Sequence, residues 1–157
     1  MSIVHLHLLL NHIPVVGALF ALLLFGASLF LRETVSTKFA LAFAAAIAAV
    51  AVAVYFTGGP AEEAVEKLAG VTERGIEQHE EAAVLATIAV SILGGLSLIA
   101  LIVFRATRAP RWVAFAGLVG TLVLGGLMGW TANLGGRIRH SEIQSPSNQQ
   151  AGNEVED

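Results

Sequence analysis

Four stretches of this chain carry no charged side chain, and each is long enough to cross a lipid bilayer. They are Pro14 to Leu31, Phe39 to Phe56, Ala82 to Phe104 and Trp112 to Leu134. A helical span needs about 20 apolar residues, with roughly 17–25 tolerated, because the hydrocarbon core is about 30 Å thick. Composition agrees. Charged residues are 13% and apolar residues 55% of the 157, with a mean hydropathy of +0.74, whereas a soluble domain carries about a quarter charged residues to cover its surface. The expected fold is all-α, an integral-membrane four-helix up-down bundle over residues 1–140. Residues 141–157 are polar and read as a disordered tail. No basic segment precedes the first run, so it reads as a retained helix rather than a signal peptide.

Charge placement orients the bundle. Arg32 and Lys38 lie between runs one and two, and Arg105, Arg108 and Arg111 between runs three and four, with Glu33 the one acid there. The other side holds Lys67, Arg74, Arg137 and Arg139 and all eleven remaining acids. Short basic loops stay in the cytoplasm. Both termini and the middle segment are therefore expected outside, at the periplasmic face of a bacterial inner (cytoplasmic) membrane. A net charge of −3 argues against a nucleic-acid partner, and the absence of Cys excludes disulfides, thiolate metal sites and cysteine nucleophiles.

The punctuation predicts three features of the outer side. A single straight helix from Ile3 to Leu31 would run about 43 Å, so a short interfacial helix and a kink near Pro14 are expected. Thr57-Gly58-Gly59-Pro60 is expected to end helix two and start another. Residues 61–78 then read as an amphipathic helix, with Val65, Leu68, Ala69, Thr72 and Ile76 on one stripe and Glu62, Glu63, Glu66, Glu73 and Glu77 around the rest. Gly70 and Gly75 are expected breaks in it. Such a helix lies on the bilayer or caps the bundle. Gly135-Gly136 is expected to end helix four.

All five histidines fall on the outer side. His12 heads helix one and His79 heads helix three, and in an up-down bundle these helices are diagonally opposite. With adjacent axes about 8–10 Å apart the diagonal is roughly 12–14 Å, leaving space for one iron between two imidazoles. Ile76, His79, Ala83, Ala86 and Val90 recur at helical spacing, so His79 points where small residues point. His5, Leu8, Leu9, His12, Val16 and Leu19 share a stripe in helix one. Gly17, Gly58, Gly125, Gly126 and Gly129 lie at comparable depth beneath the same face, where glycine lets a flat macrocycle approach the backbone; ordinary close helix packing is the favoured explanation for them. Arg137 and Arg139 suit the two propionates of haem, and equally suit pairing with the acidic 61–81 segment. His140 is a further candidate ligand, while His5 and His7 read as satisfied interfacial polar groups. The leading expectation is haem b held by His12 and His79, in an electron-transfer protein working with quinol, a cytochrome or a larger respiratory complex. The competing expectation is a non-haem transition metal in a sensor or transporter, with His5, His12, His79, Glu80 and His140 as ligands. A cofactor-free structural subunit is the third, and self-association into a homo-oligomer fits any of the three. No serine-hydrolase order, phosphate loop, nucleotide fingerprint or zincin motif is present, so hydrolytic chemistry has no support.

At His12-Ile13-Pro14, Thr57-Gly58, His79 and Gly135-Gly136-Arg137-Ile138-Arg139-His140 the chain resembles a broad family of small bacterial four-helix membrane proteins of uncharacterised function. The likeness covers residues 5–140. It implies a four-helix bundle, and the pairing of some such proteins with cytochrome c-like modules implies redox work. His5 and His7 depart from the pattern and leave room for a second centre. Four-helix membrane b-type cytochromes are an analogy only, since their placement of His within helices is not reproduced here.

Overall fold

The computed structural model describes residues 3–31, 34–65 and 71–139. They form five helices: α1 (Ile3–Leu10), α2 (His12–Leu31), α3 (Thr34–Val65), α4 (Glu73–Val103) and α5 (Arg111–Arg139). There is no strand among the described residues. Four helical stretches, with α1 and α2 together making the first, are long and apolar enough to cross a membrane. The tail from 141, together with His140, Arg32, Glu33 and Glu66–Gly70, lies outside the described residues.

Three expected boundaries shift, each for a backbone reason. The chain breaks at Asn11, three residues before Pro14. Pro14 has no N–H to give to the carbonyl of Leu10, and its ring crowds that carbonyl, so α1 stops at Leu10. Asn11 N–H closes the last turn on the His7 carbonyl at 2.9 Å. The second boundary does not fall at Thr57: α3 continues through Gly58, Gly59 and Pro60 to Val65. Pro60 costs that helix one hydrogen bond, yet Ala61 just beyond it is buried and ties the extension to the bundle. Third, the expected amphipathic helix is not a separate unit. Its start belongs to α3, its middle falls outside the described residues, and its end is the beginning of α4. Thr72 caps α4, its hydroxyl accepting from Gly75 N–H at 3.3 Å, with Glu73 suited to the positive end of the helix. Gly75 breaks nothing, and neither does Gly135-Gly136, because α5 runs on to Arg139.

The helices pack in a ring in which α2 touches α3 and α5, α4 touches α3 and α5, and α1 lies mainly against α3. Contacts show which ends meet. Lys38, early in α3, donates to the carbonyl of Arg105, just past α4. Thr131, late in α5, donates to the carbonyl of Ala82, early in α4. Gly117, early in α5, lies under the ring of Phe25, late in α2.

The inner faces repeat at alternating three- and four-residue steps. Along α3 they are Thr37, Ala40, Ala44, Ile47, Ala51, Val54, Gly58 and Ala61, and along α5 Ala114, Gly117, Thr121, Leu124, Met128, Thr131 and Gly135. This is the repeat of helices packed at small crossing angles. The core is built of small residues. Ala18, Ala48, Ala51 and Ala86 meet around Val90, Leu124 and Met128, while Ala40 and Ala44 meet around Phe25, Leu41 and Val113. Small side chains let helix backbones approach closely where lipid would otherwise solvate larger ones equally well. The outer faces carry large apolar side chains, Phe30 at 88% exposure among them.

Candidate functional site

α3, α4 and α5, at 32, 31 and 29 residues, extend beyond the apolar stretches that fill them. Their inner stripes continue into a last layer at one end of the bundle, and that layer is polar. It contains His7 from α1, Thr57 and Gly58 from α3, His79 from α4, and Thr131 and Gly135 from α5. Both histidines are half-buried.

The protonation of each ring follows from what its Nδ1 meets. His79 Nδ1 lies 3.1 Å from the backbone carbonyl of Thr131, which can only accept. His7 Nδ1 lies 2.9 Å from Thr57 Oγ1. That hydroxyl has already given its proton to the carbonyl of Val54 at 2.6 Å, so it accepts from His7. Each neutral imidazole is therefore the Nδ1–H tautomer, with its Nε2 lone pair unprotonated. No hydrogen bond occupies either Nε2 among the described residues. This is the arrangement in which Nδ1–H anchors the ring and Nε2 is left to ligate.

Two glycines give the rings their places. A Cβ at Gly135 would sit 3.0 Å from His79 Cε1, and one at Gly58 would sit 3.7 Å from His7 Cε1. The first is tighter than an ordinary contact, so a side chain at Gly135 would press on the His79 ring where it lies on α5. The two imidazoles are near enough that a charge on His79 acts on His7.

The other candidates lie elsewhere. His12 is exposed, and its Nδ1 bonds the carbonyl of Leu8 one turn back in its own chain at 2.8 Å. His5, Leu8, Leu9, Val16 and Leu19 are exposed or outward with it, so the stripe read as facing inward is the outer one. The structure therefore brings His7, not His12, to His79. Gly17 is buried against Ile47, whose side chain a Cβ would meet at 2.5 Å, and serves α2–α3 packing. Gly125, Gly126 and Gly129 are exposed with nothing near a Cβ, so they face outward and are not beneath the site. Glu80 is exposed, and among the described residues no three His, Asp or Glu side chains converge on one point. Arg137 is exposed near the end of α5. His140 and the side chain of Arg139 lie outside the described residues.

A signal for His7 was present in the sequence. Val4, His7, Asn11, Pro14, Ala18, Ala21, Phe25 and Ser28 follow the same three-four alternation as the other inner stripes, and all are buried or half-buried. No family model, no curated protein and no solved structure matches the chain.

Proposed function

We propose that this chain is a multi-pass protein of a bacterial cytoplasmic membrane, an up-down bundle with both termini outside, that binds haem b between His7 and His79 and transfers electrons at the outer face. The observation that carries the reading is the donor set. Two half-buried imidazoles on different helices each hold Nδ1–H in a hydrogen bond and keep Nε2 free, with no third His or carboxylate beside them among the described residues. A bare transition-metal ion bound by protein alone requires three or four side-chain ligands. Haem brings its own equatorial nitrogens and needs only axial donors, which is what two imidazoles offer. The neutral surroundings of the pair, threonine hydroxyl and backbone carbonyl, suit a group whose charge is largely its own.

In this reading His7 and His79 would hold the haem iron. Thr57 and the Thr131 carbonyl orient them, Gly58 and Gly135 let flat rings lie on backbone, and Arg137 supplies a cation at the rim for a propionate. Bound haem supplies a one-electron couple. The protein's share is to fix the donors at the outer end of the bundle, within reach of membrane quinol on one side and a soluble or membrane-attached cytochrome on the other.

The test is an absorption spectrum of purified protein expressed with added haem, alongside His7→Ala, His79→Ala and His12→Ala. A sharp reduced spectrum is expected for the native chain and for His12→Ala, and its loss or broadening for the other two. If His12→Ala loses haem while His7→Ala keeps it, the pair is misassigned. If no haem binds to the native chain, the haem reading falls, and metal analysis then decides whether the two imidazoles hold a non-haem ion.

A further inference from the structure

The two imidazoles are held by anchors of different kinds. His79 belongs to the 31-residue α4, packs against Gly135 of α5, and donates to a backbone carbonyl that no side-chain rotation removes. His7 belongs to the eight-residue α1, which is joined to α2 through the turn at Asn11 and lies mainly on α3. Its hydrogen-bond partner is the hydroxyl of Thr57, a rotor whose own proton goes to the Val54 carbonyl, and that carbonyl also acts on the His7 ring.

The turn that carries α1 also holds an orphaned acceptor. Among the described residues, Asn11 Oδ1 is buried without a hydrogen-bond partner. Asn11 stands four residues from His7, on the same face of the chain, so the unpaired amide oxygen lies one helical turn from the ligand. A buried acceptor without a donor disfavours the arrangement that buries it, compared with one in which water reaches it. Swinging α1 away at Asn11 breaks the Thr57 contact and relieves Asn11 in the same movement. No such orphaned acceptor stands beside His79 among the described residues.

We propose that α1 is a hinged arm, that His7 is the exchangeable donor of the site, and that a small neutral ligand of the diatomic-gas class takes the position His7 vacates while His79 remains bound. Thr57 is the positioning residue that sets how often the arm opens. The proposal rests on the haem reading, but its anchor is testable without haem. Thr57→Val keeps the shape and removes the acceptor, and Thr57→Ser restores it.

Two measurements separate the outcomes. In the haem-free protein, ¹⁵N imidazole NMR should show His7 as the Nδ1–H tautomer in the native chain and in Thr57→Ser, with that tautomer lost in Thr57→Val. In the haem-loaded, reduced protein, carbon monoxide should convert at least tenfold more of Thr57→Val than of the native chain at the same concentration. Thr57→Ser should match the native chain, and His7→Ala should convert fully. If haem binds, the native spectrum is six-coordinate and Thr57→Val responds no more than native, the hinged-arm inference is overturned while the haem reading stands. If His79→Ala, and not His7→Ala, gives the gas-binding form, the assignment of the exchangeable donor is overturned. A native chain that takes up no haem refutes the haem reading and this inference with it, while an unchanged His7 tautomer in Thr57→Val refutes the anchor alone.

Discussion

Gly94 and Gly95 are neighbours in α4 whose replacement by alanine should have opposite effects. Gly94 is buried at the contact with α3, and a Cβ there would stand 2.3 Å from Ala48 Cβ, with Ala45 Cα at 3.7 Å and the Ala44 carbonyl oxygen at 3.8 Å. Ala48 Cβ is fixed to its backbone and cannot rotate aside. Ordinary carbon–carbon contact is about 3.5–4.0 Å, so α3 and α4 must separate locally by more than an ångström. Overpacking of this kind costs about 1–3 kcal/mol, and a clash with a backbone-tethered atom belongs in the upper half of that range. Alanine returns about 1 kcal/mol of helix propensity, leaving a net loss of roughly 1–2 kcal/mol. A Cβ at Gly95 meets nothing within 4 Å, so there only the propensity gain of up to about 1 kcal/mol applies. Thermal unfolding in one detergent should place Gly94→Ala several degrees below the native chain and Gly95→Ala at or above it, at about 2–4 °C per kcal/mol for a chain of this size. A Gly94→Ala protein as stable as the native one would refute the close α3–α4 contact.

Three further outcomes are expected. Phe25 is fully enclosed and its ring covers Gly117; Phe25→Ala should cost toward the lower end of about 3–5 kcal/mol, since lipid solvates the ring in the unfolded state, and denaturant titration in micelles reads this directly. Ile76 is buried one turn before His79, outside the uncharged stretch, so Ile76→Asp should leave membrane insertion intact while abolishing haem uptake; unchanged uptake would show that the start of α4 does not hold the site. Reporter fusions after Asp157 and at Thr34 should report opposite sides of the membrane, and a cytoplasmic reporter signal after Asp157 would reverse the proposed orientation.

How much of this was legible in the chain differs from element to element. The four helices long and apolar enough to cross a membrane were legible because a charge inside hydrocarbon is costly, so runs without Asp, Glu, Lys or Arg mark such stretches directly. His79 was legible because Ala83, Ala86 and Val90 share its phase, and small residues mark where helix backbones meet. Boundaries were less legible. Pro14 acts on the carbonyl four residues before it and so ends α1 at Leu10, whereas Pro60 is carried inside α3 because Ala61 beyond it finds a buried place.

The partner of His79 was decided by tertiary structure. Two stripes run along the first span, one through His5, Leu8, His12, Val16 and Leu19, the other through His7, Asn11, Pro14, Ala18 and Phe25, and both are apolar and regularly spaced. In water the more apolar stripe would be the inner one. Here large apolar side chains lie on the outer faces as well as within, so hydrophobicity does not choose the face. Close approach of backbones chooses it, and that depends on what α3 and α5 present. Ile47 fills the space over Gly17, and Phe25 fills the space over Gly117. Those contacts fix the rotation of α2, and with it they turn His12 outward. His7 is then carried onto Thr57, beside a ring whose own place depends on a glycine in the last helix.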